Sequence, residues 1–344
     1  MTGMGWEAPP LGRVPLGPGE EFDLIRLLLG SEAPLPSGVL VGPGDDCAVL
    51  EGGIVVSADL TVEDVHFRRE WITLREAGYR ATAAALSDLA AMAAEPLGVL
   101  LSMALGPGSP RSEAVELQGG AREACEREGT TILGGDLTGS PGPVAMDVVV
   151  LGRSSAPVLR SGSLPGHEVW VTGWLGGSGA AVALWSRGMA PPEGLRKAFA
   201  RPRPRIREAL WLAERAPLRG LVDISDGLAG DAGHLAAASG VSVVLEEGAI
   251  PLHPELEMAL AETGENPLDL ALGGGEDYEL CFTVPPGGLA DLATPFRETF
   301  GIPVTRVGTV VEWAGAAVLL KDRSGEMRFP RRKGFSHFTE KGRE

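Results

Sequence analysis

The sequence contains few cysteines and no pattern that would pair them. Cys47, Cys125 and Cys281 are the only cysteines in 344 residues, and no two of them form a C-x-x-C pair. This spacing argues against a zinc site and against a disulfide scaffold. We therefore expect the chain to work in a reducing compartment, the cytoplasm.

Positive charge is scarce as well. The chain has 30 Lys and Arg against 46 Asp and Glu, which gives a formal net charge of −16. Nucleic-acid binding depends on clustered Lys and Arg, so nucleic acid is not an expected partner. An acidic protein can still bind a phosphorylated small molecule, provided that metal ions reverse the sign of the local field.

Long apolar runs are missing. The most apolar window, Ala83 to Leu105, contains Asp88, Glu95 and Pro96, so it predicts a buried helix followed by a strand and no membrane partner. Residues 1–18 are rich in Gly and Pro and lack the basic start and apolar stretch of a secretory signal. They are expected to form a flexible tail.

The signatures of several common enzyme classes are absent too. No lysine lies between Gly and Ser or Thr as in a P-loop, and no histidine begins the H-R-D motif of protein kinases. The chain has no H-E-x-x-H, and no G-x-S-x-G surrounds the serines beside its acidic clusters. These absences exclude P-loop enzymes, protein kinases and zincins, and leave serine hydrolases without their signature.

What the sequence does contain is seven aspartates in five short clusters flanked by Gly and Ser. The clusters are G-P-G-D-D-C-A at Gly42–Ala48, S-A-D-L-T at Ser57–Thr61, L-S-D-L-A-A-M at Leu86–Met92, G-G-D-L-T at Gly134–Thr138 and D-I-S-D-G-L at Asp223–Leu228. Each cluster alone is typical of a turn or a helix cap. Gathered by folding, the carboxylates would repel one another unless cations lay between them, and such oxygen ligands suit Mg²⁺. We therefore predict magnesium-dependent phosphate chemistry.

The length and the pattern of the chain predict two domains that mix helices and strands. A hairpin is expected from Val39–Leu50 and Ile54–Leu60, joined by Glu51–Gly53, and a helix over Leu74–Ala94 would carry Asp88. Further strands are predicted at Val99–Leu105, Val144–Gly152, Val169–Gly173, Val241–Leu245 and Arg306–Val311, and further helices at Ser112–Glu128, Ala180–Arg187 and Leu228–Ala238. Residues 154–157 and 161–166 are dense in Ser, Pro and Gly and predict a linker region. We expect an N-terminal domain over 19–153 and a C-terminal domain over 158–344. The glycine-rich turn Gly173–Gly179 before a helix is weakly indicative of phosphate binding.

Taken in order, the clusters resemble those of the thiamine-monophosphate kinases, within the ATP-binding superfamily that includes aminoimidazole-ribonucleotide synthetase. The resemblance covers nearly the whole chain. It includes V-H-F at 65–67, L-R-S-G at 159–162, G-G-E-D-Y-E-L at 274–280 and K-G-F-S-H-F at 333–338. It implies ATP-dependent, Mg²⁺-dependent phosphorylation of thiamine monophosphate to thiamine diphosphate by direct transfer.

The resemblance also implies which residues form the site. The implied metal ligands are Asp45, Asp46, Ser57, Asp59, Asp88, Asp136, Asp223 and Asp226; the ATP contacts are Gly135, Asp136, Arg160 and Ser225; the substrate contacts are His66, Glu276 and Phe335. No side chain is an evident covalent nucleophile; Asp46 and Asp88 are expected to act in metal-assisted transfer. The family usually has Thr where this chain has Ala58, so a hydroxyl contact to the metal is lost there.

The implied fold is α/β (α+β), with a mixed sheet that pairs with its twin in a homodimer barrel and a C-terminal α/β sandwich. Two alternatives stay open at this point. One is another ATP-using synthetase of the superfamily, although a selenophosphate synthetase should have a reactive Cys near the N-terminus and residues 1–44 contain none. The other is a nucleotide-binding protein without catalysis.

Overall fold

The computed structural model describes residues 14–17, 20–29, 35–332 and 334. In the first half the elements are α1 (Glu20–Leu29), β1 (Val39–Val41), β2 (Ala48–Leu50), β3 (Ile54–Val62), α2 (Leu74–Ala91), β4 (Glu95–Leu105), α3 (Arg111–Arg127), β5 (Ile132–Gly139) and β6 (Ala145–Arg153). The strands form one six-stranded sheet in the order β1-β2-β3-β6-β4-β5, in which only β4 and β5 are parallel. The predicted mixed sheet is confirmed.

The second half forms a seven-stranded sheet with helices. Its elements are β7 (Glu168–Thr172), α4 (Gly177–Trp185), α5 (Glu193–Ala200), α6 (Ile206–Arg215), β8 (Gly220–Asp223), α7 (Leu228–Ser239), β9 (Ser242–Glu246), a 3-10 helix (Glu247–Ala249), α8 (Leu256–Leu260), α9 (Pro267–Gly273), β10 (Leu280–Val284), α10 (Ala293–Phe300), β11 (Val304–Val311), β12 (Val318–Lys321) and β13 (Met327–Arg328). The strand order is β13-β12-β9-β11-β7-β10-β8.

Both faces of the second sheet are buried. Along β10, Leu280 and Phe282 face one apolar cluster, while Cys281 between them faces another. The first cluster contains α6 and α10 residues, and the second contains α7 and α9 residues. Alternation along a strand sends successive side chains to opposite faces, so this sheet lies between two helical layers.

Helix α2 is the element that joins the two halves. It begins with a capping box, in which Thr73 and Glu76 bond each other's backbone amides. Its small residues allow close packing on α3, since a Cβ on Gly78 would lie 1.9 Å from the Leu117 carbonyl oxygen. The same apolar cluster contains Leu86 and Leu89 of α2 together with Leu221 of β8.

The sequence located most of the strands and helices that carry the acidic clusters. The hairpin is confirmed, with Leu50 opposite Ile54. The continuous strand over Val39–Leu50 is wrong in its middle, because residues 42–47 leave the sheet between β1 and β2. Gly44 has a φ of +124° there, and a Cβ on it would meet the Val14 carbonyl oxygen at 1.9 Å. The helix over Leu74–Ala94 ends three residues early, at Ala91.

Candidate active site

Folding gathers three aspartates from three different elements. Asp46 lies in the loop after β1, Asp88 on α2 and Asp223 at the end of β8. One carboxylate oxygen from each lies within 4.8 Å of the others, and Asp46 and Asp223 are buried. The sequence separates Asp46 from Asp223 by more than half the chain, so only tertiary packing brings these side chains together.

The neighbours of these aspartates hold them in place. Ser57 Oγ donates a hydrogen bond to Asp88 Oδ2 at 2.6 Å. Ser57 and Asp59 lie two residues apart on β3, so both side chains face the same side of the sheet, towards α2. Asp45 Oδ2 accepts a hydrogen bond from the backbone amide of Arg160 at 3.1 Å.

Arg160 is the cation next to this cluster. Its Nε and Nη2 donate to the two carboxylate oxygens of Asp46 at 3.0 and 2.6 Å. Arg160 belongs to the segment between β6 and β7, so this two-point ion pair ties that segment to the loop after β1. Bidentate pairing of this type is a particular capacity of arginine.

The remaining negative charge is not balanced by the described side chains. Burial, followed by the neighbouring Asp46, raises the pKa of Asp223 to about 7. Burial and the same neighbour raise the pKa of Asp45 to about 7 as well, and burial with Asp223 raises the pKa of Asp88 well above its usual value. Crowded carboxylates that resist ionisation are what a divalent cation would stabilise.

Five of the other predicted site residues line one cavity beside this cluster: Asp59, His66, Ser225, Asp226 and Glu276. The cavity has a volume of about 510 Å³. Its lining includes Asp59, His66, Arg80, Asp88, Phe199, Asp223, Ser225, Asp226, Glu276 and Tyr278. Burial raises the pKa of Asp59 to about 6, even though the nearby Arg80 favours the ionised form. The cavity therefore combines an acidic end with groups from both halves of the chain.

A second cluster of possible metal ligands begins in the D-I-S-D-G-L motif and continues into α7. Asp226, Asp231 and His234 each place a ligand atom within 4.8 Å of the others. Asp231 Oδ2 accepts hydrogen bonds from the amides of Asp226 and Gly227 at 3.1 and 3.0 Å. Asp231 was not predicted from the sequence, although an acidic residue in the first turn of α7 is a signal for this backbone contact.

The G-G-E-D-Y-E segment sends alternate side chains in different directions. Glu276 and Tyr278 line the cavity, and both residues have a positive φ, 62° and 50°. Glu279 accepts hydrogen bonds from Arg205 of the second half, and Thr172 Oγ1 donates to it at 2.7 Å. The Glu276 backbone amide donates a hydrogen bond to the Ser225 carbonyl oxygen at 2.6 Å, which joins this segment to D-I-S-D.

The glycine-rich turn before α4 is bonded by a carboxyl group of the protein itself, although burial raises the pKa of that group, Asp277, to about 8. Asp277 Oδ2 accepts a hydrogen bond from the Gly176 amide at 2.8 Å. Gly176 has a φ of +85° and precedes the first turn of the helix, where free amides attract anions. Asp277 therefore accepts the hydrogen bond from an amide of the turn for which the sequence weakly indicated phosphate binding.

Two predicted ATP contacts, one of which is also a predicted metal ligand, lie elsewhere in the described chain. Gly135 and Asp136 are on β5, at the edge of the first sheet, and they line a separate cavity of about 680 Å³. Gly135 pairs with Leu101, and three strand spacings separate β5 from β3 and Asp59, a distance of about 14 Å. Phe335 lies outside the described residues.

In the part of the chain that the structure describes, no helix has both the length and the apolar character needed to cross a membrane. The free cysteines among the described residues, Cys47, Cys125 and Cys281, are all buried.

Comparisons with known proteins agree over most of the chain. Residues 44–154 match the model for the AIR synthase related protein, N-terminal domain, and residues 165–321 match the C-terminal domain of the same family. The chain is 33% identical to a thiamine-monophosphate kinase of Rhodopirellula baltica, over 92% of this chain and 97% of the relative. It is 35% identical to the Mycobacterium tuberculosis protein of the same name, over 82% and 85%.

A solved structure described as AaThiL complexed with AMPPCP and TMP has the same fold. It superposes with a TM-score of 0.77 at 30% identity, covering 93% of this chain and 97% of that one. Structures of the hydrogenase maturation protein HypE superpose with a TM-score of 0.69 at 18% identity, which shows a shared fold alone.

Proposed function

The chain belongs to the thiamine-monophosphate kinase family, and on this premise we propose that it transfers the γ-phosphate of ATP to thiamine monophosphate, giving thiamine diphosphate and ADP. The observation that carries the proposal is the gathering of Asp46, Asp88 and Asp223 beside a cavity that both halves of the chain line. The related structure with AMPPCP and TMP supports a nucleotide donor and a phosphorylated acceptor.

The central obstacle to this reaction is charge repulsion. Two unit charges 4 Å apart repel by about 4 kcal/mol at an effective dielectric constant of 20, and the phosphates of the two substrates together carry several negative charges. The carboxylates of Asp46, Asp88 and Asp223 fit Mg²⁺ by oxygen chemistry and by spacing. Mg²⁺, when bound, would offset the repulsion and stabilise charge on the transferred group.

The side chains have distinct parts in the proposed reaction. Asp45, Ser57, Asp59 and Asp226 complete the metal ligands around the three central aspartates, directly or by orienting them. Arg160 and Ser225 bind the nucleotide. Gly135 and Asp136 on β5 are the remaining proposed nucleotide contacts, and Asp136 is also a proposed metal ligand, although both line the separate cavity. His66, Glu276 and Phe335 bind the acceptor. The cavity lining supports this division, since it contains Asp59, Ser225, Asp226, His66 and Glu276.

Direct transfer without a phosphoenzyme is the proposed route. Burial raises the pKa of the Cys47 thiol well above its usual value, and Cys47 Sγ donates to the Asp88 carbonyl oxygen at 3.4 Å. A buried thiol that stays protonated is a poor nucleophile. Positioning and charge stabilisation would then supply most of the rate. A protein band that keeps radiolabel after denaturation with γ-labelled ATP would contradict this route.

We further propose a homodimer, with two domains divided near residues 154–157 and a cytoplasmic location. Five leucines on β3, β4 and β5 are exposed by 37 to 58%: Leu60, Leu97, Leu100, Leu133 and Leu137. β5 is also an edge strand with unpaired backbone groups. Exposed apolar side chains and an unpaired edge on the same sheet support pairing with a second copy.

The test is conversion of thiamine monophosphate to thiamine diphosphate by the purified chain with ATP, with and without Mg²⁺. We expect Mg²⁺-dependent product from the monophosphate and none from free thiamine, because the acceptor is a phosphate oxygen. Nucleotide binding without product from thiamine monophosphate would overturn the proposed acceptor and point to another ATP-using synthetase of the superfamily.

A further inference from the structure

Arg80 is a buried cation at the end of the cavity away from Asp46. Its side chain is 3% exposed. Nη1 donates to the Phe199 carbonyl oxygen at 2.7 Å, and Nη2 donates to Glu276 Oε1. The guanidinium carbon lies 3.9 Å from the centre of the Phe199 ring. Arg80 therefore joins α2, α5 and the G-G-E-D-Y-E segment.

Arg80 and Asp88 share one face of α2. Arg80, Ala84 and Asp88 are spaced by four residues, and all three line the cavity. Eight residues of α-helix span about 12 Å. Helix α2 therefore holds the Asp88 carboxyl group and the Arg80 guanidinium at a fixed separation in the same cavity.

Arg80 directs one donor of each Nη atom at the protein rather than at open space. Both Nη atoms bond protein acceptors, and one face of the guanidinium is against the Phe199 ring. A lysine in this position has a single ammonium group and cannot reproduce two contacts in a fixed plane. The arrangement is therefore suited to positioning neighbouring groups.

Glu276 is a group that requires positioning. It has a φ of +62°, a backbone conformation that L-residues other than Asn and Asp seldom adopt. Such a conformation persists only where the surroundings over-determine it. Here the surroundings are the bond from Glu276 N to Ser225 O at 2.6 Å and the side-chain contact with Arg80.

We infer that Arg80 is a positioning residue for the phosphate acceptor: it fixes the carboxylate of Glu276 and the ring of Phe199, so that a flat heteroaromatic acceptor is held at a set distance from Asp88. This inference rests on the proposed function. Glu276 contacts the acceptor directly, whereas Arg80 acts through Glu276 and Phe199. Arg80 bonds Phe199 and Glu276 and not the proposed nucleotide contacts Arg160 and Ser225. Its charge also favours the ionised form of Asp59, so the readout that isolates positioning is KM for the acceptor against KM for ATP.

The experiment measures KM for thiamine monophosphate and for ATP, and kcat, in Arg80→Met, Arg80→Lys and Glu276→Gln. We expect KM for thiamine monophosphate to rise at least tenfold in both Arg80 variants, with KM for ATP within twofold of wild type. Arg75→Met is the matched control, because Arg75 is also on α2 but pairs with Glu123 outside the cavity. It should leave all three constants unchanged.

A double variant separates positioning from general damage. If Arg80 acts through Glu276, the double variant Arg80→Lys/Glu276→Gln should bind thiamine monophosphate only slightly more weakly than the single variant Glu276→Gln does. Additive losses, an equal rise in KM for ATP, or an unchanged KM for thiamine monophosphate would each overturn the inference. Failure of the proposed function would look different, since wild type itself would then give no thiamine diphosphate. Acceptor binding, measured by calorimetry on wild type and Arg80→Lys, tests the positioning role without turnover.

Discussion

Arg160 and Asp46 form a two-point ion pair that spans 114 residues of sequence, with Nε 3.0 Å and Nη2 2.6 Å from the two carboxylate oxygens. The pair joins Arg160, a proposed nucleotide contact, to Asp46, a proposed metal ligand. When Mg²⁺ binds, it would share the carboxylate oxygens of Asp46 with Arg160. We therefore expect the contribution of Arg160 to stability to differ between the metal-free and the metal-bound protein.

Arg160→Met should destabilise the metal-free protein more than the protein with Mg²⁺. Removing one partner of a buried pair leaves an uncompensated charge and costs about 3 kcal/mol, and Mg²⁺ would supply the missing positive charge. Denaturant unfolding in EDTA and in Mg²⁺ measures this difference. Arg306→Met, which removes a partly exposed pair with Glu246, is the control. Equal losses in both buffers would contradict the proposed sharing of Asp46.

Asp88→Asn should abolish most turnover while the fold stays intact. The substitution keeps the shape but removes one charge from the cluster, and we expect kcat to fall at least about 100-fold, equivalent to ~2.7 kcal/mol. The unfolding free energy of the metal-free variant should equal or exceed that of wild type, because repulsion with Asp223 is relieved. Asp291→Asn, an exposed carboxylate outside the cavity, is the control. Wild-type turnover in Asp88→Asn would remove Asp88 from the site.

The stability of the metal-free protein should depend on pH through the buried aspartates. The folded pKa of Asp223, about 7, lies above its unfolded value, so the folded state keeps a proton that the unfolded state releases. The contribution of this retained proton to the free energy of unfolding is fully present below the pKa of the unfolded state. It is lost as pH rises from about 4 to 7. Each retained proton contributes a slope of about 1.4 kcal/mol per pH unit.

Asp223→Asn should flatten this dependence, since an amide does not titrate. Urea unfolding of both proteins at several pH values between 5 and 8, in EDTA, compares the two slopes. Parallel pH profiles would show that Asp223 titrates normally in the folded protein. Saturating Mg²⁺ should weaken the slope in wild type, because metal ligands bind in their ionised form.

Leu137→Lys should separate the proposed homodimer. Leu137 is 58% exposed on the edge strand β5, and a lysine there would have to be buried against a second copy. Light scattering after size-exclusion chromatography gives the mass of the particle. Met258→Lys, at a 77% exposed position on α8, should not change that mass. A monomeric wild type, or a dimer that survives Leu137→Lys, would contradict an interface through β5.

The hairpin of β2 and β3 and the helices α2, α3 and α7 follow from local patterns, because alternation and helical spacing are written in neighbouring residues. The break at residues 42–47 was missed, since its cause is the approach of Gly44 to the distant Val14 backbone. The turn before α4 was ambiguous for a similar reason. Its amides attract a hydrogen-bond acceptor, but only the folded chain shows that the carboxyl group of Asp277 supplies one.

The sequence by itself determined the ligand chemistry: oxygen donors for a hard cation, no thiol or zinc signature, and acidic clusters in an order that identifies the family. Tertiary structure alone decided which carboxylates meet, that Arg160 neutralises Asp46, and that Arg80, Asp231 and Phe199 belong to the site. The physical reason is that residue type fixes which groups a side chain can bind, whereas the distance between groups far apart in sequence depends on how α2 packs between the two sheets.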